Sequence, residues 1–540
     1  MTHVLPDFQD LTLAEQVAQM LVVRASGHLF DHQILYPTWE PQADTLRHYL
    51  QDLAVGGVIV LGGSAAEIAL RSQQLQDWAK VPLFMAADIE EGVGQRFSGA
   101  TWFAPPMALA EIAKTEPTTA AHLATEMGAY TAQEALAIGL NWVLAPITDV
   151  NNNPQNPVIN VRAFGETLEV VSQLATAFIQ GAQQHPVLTT AKHFPGHGDT
   201  ATDSHLDLPV IPHALERLQS LEYLPFKAAI AAGVDSVMSA HLLIPALDET
   251  YPATLSPRIL TGELREALGF DGIIVTDALV MGAIADRYGA NEAAVLAVEA
   301  GADVLMMPLD PPGAIQAICE AVENGRISAD RIQASLERIW RAKQKIFTLE
   351  VAEKGTHHHD WEQRSPAPIQ LDKLAQPGAQ QAAAKILEKS SQFRGVIHKA
   401  EGFARNVIVV DDLIGCDFLN RKAPAITIPQ LHGYQTLYLV DRHSPAQPYD
   451  LVQANPEPTI LQLFIRGNPF RGSAGLSQLA KDWFDALLQA GQLRGLLIYG
   501  SPYTLEMFLP LLPPEMPYGF SYGQMPMAQA IALQSLMPNS

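Results

Sequence analysis

A loop near residue 200 concentrates side chains that transfer protons and bind polar ligands. Lys192 and His193 end an apolar segment, and a glycine-rich loop follows in which Asp203 and His205 stand two residues apart. Residues at this spacing meet in a tight turn, so the carboxylate of Asp203 can bind the imidazole of His205. Such a bond fixes the tautomer of the ring and raises its basicity. The pair therefore predicts a general acid/base that works near neutral pH.

Two other interpretations of this loop stay open. Histidines and carboxylates at short spacing are also typical zinc ligands, so a hydrolytic metal site is one alternative. In the other, the polar residues only cap the loop. The many glycines, and the lack of a second His–carboxylate cluster elsewhere in the sequence, favour acid/base chemistry with no metal and no cofactor. The candidate metal ligands are His193, His197, Asp199, Asp203 and His205.

Carboxylates also follow two other apolar segments. Asp277 comes directly after Gly272–Thr276, which predicts a buried strand. A carboxylate at a strand end is a natural nucleophile for a sugar carbon, because it can form and release a glycosyl ester. Asp88 ends another apolar segment and can accept hydrogen bonds from two neighbouring sugar hydroxyls. Arg162, in a loop rich in Asn and Pro, offers several donors to a ligand. For Asp88 and Arg162, a structural ion pair is the alternative.

The elements that must position these residues repeat over the first 350 residues. Apolar runs of four to eight residues with little alternation are typical of strands buried on both faces. Eight strand–helix units predict a (β/α)8 barrel, in which the carboxyl ends of the strands share one rim. An open doubly wound sheet is the alternative. The predicted strands are Leu21–Arg24, Gly57–Leu61, Leu83–Asp88, Trp142–Asp149, Thr189–His193, Asp235–His241, Gly272–Asp277 and Asp303–Pro308, and the predicted helices include Ala65–Trp78, Ala120–Ala137 and Leu168–Gln183.

The periodicity divides the chain into three parts. Residues 1–350 form the predicted barrel, 351–375 form a charged, proline-containing linker, and 376–540 form a smaller α/β domain. The three adjacent histidines at 357–359 in the linker are interpreted as solvated side chains rather than metal ligands. Arg466–Gly472 is either a loop that covers the barrel rim or a surface turn, and we favour the turn. The strands predicted in the second domain are Asn406–Asp411, Thr436–Asp441, Ile460–Arg466 and Gly495–Tyr499.

The composition excludes several classes of protein. The 540 residues contain 34 basic and 57 acidic side chains, for a net charge of −23, which argues against a nucleic-acid or membrane-surface partner. An apolar content of 48% excludes wholesale disorder. Two cysteines, no secretory pattern at the N-terminus and no long apolar stretch predict a cytoplasmic enzyme without a membrane segment. Its partner is then a small molecule, and the oligomeric state stays unknown.

Together the segments resemble glycoside hydrolase family 3, and within it the β-N-acetylhexosaminidases of peptidoglycan turnover. The most specific likeness is the run that begins Lys192-His-Phe-Pro-Gly-His-Gly-Asp-Thr and continues to Asp203-Ser-His205. Val275-Thr-Asp-Ala-Leu-Val-Met281 also looks like a family motif, as does the segment that runs from Ala145-Pro through Asp149 and Asn156-Pro to Arg162-Ala-Phe-Gly. The likeness covers about residues 10–345 and is only general over the second domain, where the family commonly carries an α/β sandwich.

The resemblance assigns roles to individual residues. Other branches of the family take their acid/base from a glutamate of the second domain, so the Asp203–His205 pair points to N-acetylhexosaminides. The sequence departs from the usual pattern Asp-x-Glu-Gly-Gly at Glu91. The resemblance implies that Asp277 is the nucleophile, that His205 is the general acid/base oriented by Asp203, and that Asp88, Arg162, Lys192 and His193 contact the substrate.

The implied reaction is the retaining, exo-acting hydrolysis of terminal β-linked N-acetylglucosamine through a covalent glycosyl-enzyme. A neutral histidine repels an incoming anion less than a carboxylate does, so phosphorolysis stays open as an alternative. A β-glucosidase or a broader-specificity glycosidase of the same family is another. From other classes, the alternatives are a metal-dependent hydrolase and a catalytically inert binding protein.

Overall fold

The first part of the chain forms an almost closed barrel of eight parallel strands. The computed structural model describes residues 5–200, 208–349, 364–365, 367–444, 448–466 and 478–538. In it the first seven strands pair in sequence order, and the eighth strand pairs with the first. A parallel bridge between Val275 and Val304 joins the two remaining edges. The barrel prediction is confirmed. The strands are β1 Leu21–Ser26, β2 Gly57–Leu61, β3 Phe84–Ala87, β4 Trp142–Val143, β5 Leu188–Phe194, β6 Ser236–Ser239, β7 Ile273–Val275 and β8 Leu305–Met306.

Helices surround the barrel, and their apolar faces pack on the strands. Helix α12, Ala329–Ile346, shows why such a segment is helical. Ser328 caps its first turn by accepting a hydrogen bond from the Arg331 amide at 3.1 Å. Apolar side chains at helical spacing, such as Ile332, Leu336 and Ile339, are buried. The helices are α1 Leu13–Ala18, α2 Ala43–Gln51, α3 Ala65–Trp78, α4 Met107–Ala113, α5 Pro117–Ala137, α6 Leu168–Ala182, α7 Leu215–Arg217, α8 Tyr223–Ala231, α9 Gly282–Tyr288, α10 Ala290–Ala300, α11 Pro311–Glu323 and α12 Ala329–Ile346, with π-helical turns at Leu218–Glu222 and Arg258–Ala267.

Strand β4 is much shorter than the predicted Trp142–Asp149. Regular pairing ends at Val143, since Pro146 has no N–H to donate to a neighbouring strand. The chain nevertheless continues beside β5, where Ile147 bridges Lys192 and the Thr148 amide donates to the Lys192 carbonyl at 2.7 Å. This run delivers Asp149 to the carboxyl end of β5.

The second domain contains a six-stranded mixed sheet flanked by helices. Its strand order is β11-β16-β15-β14-β12-β13, and only β11 is antiparallel to its neighbour. The four strands predicted for this domain are present, whereas β11 and β16 were not predicted. The elements are β9 Thr348–Leu349 and β10 Arg364–Ser365, which pair with each other, then α13 Pro377–Ser390, β11 Gln392–Arg394, β12 Arg405–Val410, α14 Pro424–Leu431, β13 Thr436–Val440, α15 Pro448–Ala454, β14 Thr459–Ile465, α16 Gln478–Gln489, β15 Leu493–Gly500, α17 Pro502–Phe508, β16 Tyr518–Ser521 and α18 Pro526–Leu536.

The carboxyl ends of three neighbouring strands in this sheet face the barrel. Arg466, directly after β14, bonds to Glu91 of the barrel. Tyr503, at the start of the helix after β15, donates to Glu166 at 2.6 Å. Tyr522, directly after β16, donates to Glu111 at 3.4 Å. The second domain therefore sits against the barrel on the side of β3 and β4.

None of the helices in the described parts of the chain has the length and apolar character needed to cross a membrane.

The buried carboxylate of Asp303 holds the seam where β8 meets β7. It accepts hydrogen bonds from the Ile274 amide at 3.0 Å and from Ser335 at 2.8 Å, and it pairs with Arg265 at 2.6 Å. Arg331 also approaches it, at 3.3 Å. One carboxylate thus joins a strand of each edge to helix α12.

We predict that Asp303→Asn lowers the free energy of unfolding by about 3–5 kcal/mol, because it removes the buried partner of several arginines. Urea unfolding measures the change. Asp271→Asn is the matched control, since Asp271 also pairs with arginines but its side chain is 70% exposed. A loss from Asp303→Asn no larger than that of the control would contradict the assignment.

Candidate active site

The barrel brings five of the seven predicted site residues to one rim, at the carboxyl ends of its strands. Asp88 directly follows β3, Lys192 and His193 lie in β5, and Asp277 follows β7 by two residues. Arg162 lies in a 3₁₀ turn, Asn160–Arg162, of the loop after β4. The other two predicted residues, Asp203 and His205, lie outside the described residues.

Two carboxylates and two cations form a continuous chain of ion pairs at this rim, which we call the charge array. Lys192 Nζ lies 2.7 Å from Asp88 Oδ1 and 2.7 Å from Glu90 Oε1. Arg162 binds the same Glu90 through two parallel bonds of 2.8 Å each. Bidentate geometry of this kind fixes the guanidinium plane as well as its position. The loops after β3 and β4 are thereby tied to strand β5.

In the charge array, burial and the neighbouring charges shift the pKa values of Glu90 and Lys192 in opposite directions, and the effect of the charges is the larger one. Burial raises the pKa of Glu90, but the Arg162 and Lys192 cations outweigh it and hold this pKa well below its ordinary value. Burial lowers the pKa of Lys192, but the charges of Asp88 and Glu90 raise it by more than burial lowers it. The net shift of this pKa is therefore upward. Both side chains are therefore charged at neutral pH. Asp88 is the accessible member, with a side chain 37% exposed against 2% for Lys192 and 3% for Glu90.

A second buried carboxylate, Asp149, organises the histidines beside the charge array. It accepts hydrogen bonds from the His193 ring at 2.9 Å, from the His193 amide at 3.1 Å and from the His197 amide at 2.7 Å. Burial raises the pKa of Asp149, but the hydrogen bond and charge of His193 outweigh it, so the net shift is downward. The carboxylate only accepts, so Nδ1 of His193 carries a proton and Nε2 is the acceptor nitrogen of the neutral ring.

His197 is held as a neutral ring inside this cluster. Burial lowers its pKa to about 4, although the carboxylates of Asp149 and Asp277 act in the opposite direction. Its Nδ1 lies 3.0 Å from the hydroxyl of Thr200. Because β5 and β7 both pair with β6, their polar ends lie in the same region of the rim.

The described ends of the predicted acid/base loop are firmly anchored. Asn156 donates to the carbonyls of His197 and Gly198 at 2.8 and 3.0 Å. A Cβ atom on Gly198 would lie only 1.7 Å from the Val150 carbonyl oxygen, so this close approach requires glycine. On the return side, Val210 bridges Leu243. Both ends of the loop that contains Asp203 and His205 therefore start from fixed points on the rim.

The segment around Asp277 is positioned by its neighbours. The Ala278 amide donates to Asp277 Oδ1 at 2.7 Å. His241, at the end of β6, lies 3.0 Å from the Ala278 carbonyl through Nε2 and 2.8 Å from the Thr254 hydroxyl through Nδ1. Because a carbonyl only accepts, Nε2 of His241 carries the proton. This contact fixes the backbone next to the predicted nucleophile.

Family models match both parts of the chain. The model described as "Glycosyl hydrolase family 3 N terminal domain" matches residues 12–342, and the one described as "Bacterial Glycosyl hydrolase family 3 C-terminal domain" matches residues 397–538. The chain belongs to glycosyl hydrolase family 3. The resemblance found in the sequence is confirmed at the level of the family, and with it a barrel followed by a C-terminal domain.

Relatives in the family carry names of N-acetylhexosaminide enzymes. The protein named "Beta-hexosaminidase A" from Pseudoalteromonas piscicida is 35% identical over 301 residues, which cover 52% of this chain and 50% of that protein. The "Beta-N-acetylglucosaminidase/beta-glucosidase" of Cellulomonas fimi is 30% identical over 319 residues, or 57% of this chain and 56% of that protein. This chain therefore matches only about half the length of these two relatives.

Solved family 3 structures share the architecture. A β-N-acetylglucosaminidase from Paenibacillus sp. str. FPU-7 aligns with a TM-score of 0.75 and 29% identity, over 97% of this chain and 96% of that one. A β-N-acetylhexosaminidase from Beutenbergia cavernae aligns with a TM-score of 0.53 and 27% identity, over 62% of this chain and 99% of that one. The β-glucoside phosphorylase BglX has a TM-score of 0.79 at 23% identity, over 99% of this chain and 93% of that one, and this likeness concerns the fold alone.

Sequence reasoning missed two residues of this family 3 site. Glu90 was part of the motif Asp-x-Glu and Asp149 was the end of a predicted strand, but neither was assigned a catalytic or substrate-binding role. The available signal was spacing, because Glu90 stands two residues after Asp88 and Asp149 is the last residue of a predicted strand. Their partners, Lys192 and His193, lie 102 and 44 residues away in sequence (192 − 90 and 193 − 149). A local sequence pattern does not indicate which residues pair over such distances.

The alternative of a metal site is not supported by the side chains that the structure describes. Within the described ranges, no group of three His, Cys, Asp or Glu side chains is arranged to hold a metal ion. His193 and His197 are instead engaged with Asp149 and Thr200. Two further members of the candidate cluster, Asp203 and His205, lie outside those ranges.

The lowered pKa of His197 predicts a loss of stability on mild acidification. The ring takes up a proton near pH 6.5 when unfolded but only near pH 4 when folded, so the unfolded state binds more protons between these values. The free energy of unfolding should therefore fall by about 2 kcal/mol from about pH 7 to about pH 5 on account of this group. Glu90 and Asp149, whose pKa values are also lowered, lose their contributions at lower pH.

Urea unfolding of His197→Gln at the two pH values tests this expectation. The variant should show a smaller loss than the unsubstituted protein, because glutamine does not titrate. His48→Gln is the matched control, since His48 pairs with Asp52 on an exposed helix face. Equal pH dependence of His197→Gln and the unsubstituted protein would refute the neutral, buried ring.

Proposed function

We propose that this protein is a retaining, exo-acting glycosidase that hydrolyses terminal β-linked N-acetylglucosamine residues. The observation that carries the proposal is the charge array, whose accessible end, Asp88, faces the same rim as Asp277. The sequence of the loop from Lys192 to His205 and the names of the family relatives support the N-acetylhexosaminide specificity. Fragments of peptidoglycan are the substrate source that the resemblance implies, and the cytoplasmic location stays a prediction.

In the proposed first step, an Asp277 oxygen attacks the anomeric carbon of the terminal sugar. The bond from this carbon to the leaving oxygen breaks, and protonated His205 donates its proton to that oxygen. In the second step, neutral His205 removes a proton from water, and the resulting hydroxide displaces Asp277 from the anomeric carbon. The two displacements together retain the β configuration, and both residues return to their starting states.

The charge array supplies recognition of the sugar in this proposal. Asp88 is a carboxylate held by Lys192 and is open to solvent, so it can accept hydrogen bonds from the hydroxyls of a terminal sugar. Its position is set before any substrate arrives by the buried Lys192, which the buried Glu90 holds in turn. Preorganisation of this kind lowers the entropy cost of binding. His193, oriented by Asp149, offers a further polar contact beside it.

We predict that Asp277→Ala abolishes turnover of 4-nitrophenyl N-acetyl-β-glucosaminide, with kcat reduced by about 10⁴-fold or more. Release of nitrophenolate measures the rate. Asp286→Ala, on the helix Gly282–Tyr288 that follows the same strand, serves as the control and should keep the unsubstituted rate. A variant at Asp277 that retains more than a tenth of the activity would exclude it as the nucleophile.

The acid role of His205 predicts a dependence on the leaving group. His205→Ala should reduce kcat/KM much less for the nitrophenyl glycoside than for N,N′-diacetylchitobiose, because nitrophenolate leaves without a proton. We expect the two losses to differ by about 100-fold. The values of kcat/KM for the two substrates are measured separately under the same conditions, for the variant and for the unsubstituted protein. Equal losses on the two substrates would rule out His205 as the general acid.

A wider specificity for the sugar is a second candidate, favoured by the Cellulomonas relative, whose name includes β-glucosidase. Assays of the glucoside and the N-acetylglucosaminide side by side distinguish the two specificities. Phosphorolysis is tested in the same assay with added phosphate. Formation of a sugar 1-phosphate identifies a phosphorylase, and formation of free sugar alone identifies a hydrolase.

A further inference from the structure

Two features of the sequence that the proposed reaction does not use meet each other in the structure. Glu91 replaces a glycine of the pattern Asp-x-Glu-Gly-Gly, and Arg466 begins the segment for which a surface turn was favoured. Arg466 Nη2 lies 2.6 Å from Glu91 Oε1, and Nη1 lies 3.3 Å from the second carboxylate oxygen. The side chain of Glu91 is entirely buried. Arg466 therefore lies against the rim, and residues 467–472 lie outside the described residues.

Glu91 belongs to the loop that carries the accessible carboxylate of the charge array. We call residues 88–103 the Asp88 loop. Two hydrogen bonds within the loop hold it together. The Phe103 amide donates to the Glu91 carbonyl at 2.8 Å, and the Arg96 side chain donates to the Asp88 carbonyl at 3.0 Å. The Glu91 carboxylate also accepts a bond from the Trp102 indole at 3.0 Å. Displacement of Glu91 would therefore be transmitted to Asp88 and Glu90 through a short, cross-linked segment.

The C-terminal part of the chain holds the far side of the same loop as well. Gln380, on α13, donates to the Thr101 hydroxyl at 3.1 Å. The buried carboxylate of Glu134 accepts from both the amide and the hydroxyl of Thr101, at 2.8 and 2.6 Å, and from the Ala375 amide at 2.9 Å. Residues beyond the barrel thus contact the Asp88 loop at Glu91 and at Thr101, ten residues apart.

We propose that the C-terminal domain positions the Asp88 loop through the Arg466–Glu91 ion pair and so helps to set the affinity of the site for the terminal sugar. Glu91 and Arg466 are positioning residues, which act through Asp88 and Glu90. The inference about affinity rests on the proposed function, while the inference about loop position does not. The charge of a buried carboxylate needs a compensating partner, and Arg466 supplies it from the second domain.

The chain offers a matched control for this pair. Lys389, on α13, binds Glu116 at 2.7 and 2.9 Å, so it also joins the second domain to the barrel. Glu116 lies at the start of α5, away from the Asp88 loop. Removal of this second ion pair changes the contact between the domains but leaves the loop untouched.

Hydrogen exchange of the full-length protein tests the structural part. In Arg466→Met we expect amide exchange in residues 88–103 to rise about tenfold, with Arg466→Lys intermediate and Lys389→Met unchanged. Strands β12, β14 and β15 are followed in the same samples, and their unchanged protection shows that the second domain is folded. Unchanged exchange of the Asp88 loop in Arg466→Met would overturn the proposal.

Kinetics with 4-nitrophenyl N-acetyl-β-glucosaminide test the functional part. Arg466→Met and Glu91→Gln should each raise KM about tenfold and change kcat by less than about threefold, and the double variant should lose no more than the worse single one. Lys389→Met should keep the unsubstituted constants. A KM unchanged in Arg466→Met would overturn the inference about affinity. An unsubstituted protein inactive on this substrate would instead refute the proposed function, and the exchange experiment would still decide whether the loop depends on Arg466.

Discussion

The architecture of the rim depends on the requirement that a buried charge be compensated. Lys192 and Glu90 are almost inaccessible to solvent and pair with each other, Lys192 also pairs with Asp88, and Glu90 also pairs with Arg162. Removal of one partner of such a pair costs about 3–5 kcal/mol, because the remaining charge stays buried and uncompensated. Strand β5, the loop after β3 and the loop after β4 must therefore come together for the barrel to be stable. The ion pairs that stabilise the fold also hold the carboxylate of Asp88 at a position open to solvent.

The rim separates a charged region from a neutral one. The charge array contains the ionised carboxylate of Glu90 and the cations of Arg162 and Lys192, whereas the ring of His197 carries no proton on its second nitrogen at neutral pH, because burial lowers its pKa. Asp149 stabilises this second region by accepting hydrogen bonds from the His193 ring and from the amides of His193 and His197, and these bonds compensate its charge. Asp277 borders the neutral region, so His197 places no positive charge beside it. In the proposed reaction this preserves the nucleophilicity of the carboxylate.

Local sequence patterns predicted the elements but not the contacts between them. The strands beside Asp88, Lys192 and Asp277 were predicted to within two residues at each end, because buried parallel strands are short apolar runs that end in polar residues. The length of β4 was wrong, since an apolar run does not reveal where Pro146 interrupts the hydrogen bonds. The role of Glu90 depends on a lysine 102 residues further along the chain (192 − 90), and that of Glu91 on an arginine 375 residues further along. No periodicity encodes such pairs. The acid/base pair, Asp203 and His205, was the strongest motif in the sequence and stays a prediction, because the structure does not describe it.

The departure from the family pattern at Glu91 and the presence of the second domain are physically linked. The family 3 structure from Beutenbergia cavernae is covered over 99% of its length by 62% of this chain, so more than a third of this chain has no counterpart there. A glycine at position 91 needs no partner, whereas a glutamate buried at that position does. In this chain the partner comes from the carboxyl end of β14, whose neighbours β15 and β16 also aim their ends at the barrel. Glu91 without Arg466 would leave a buried charge uncompensated, and Arg466 without Glu91 would face the rim without a carboxylate. Each of the two residues therefore supplies the partner that the other needs.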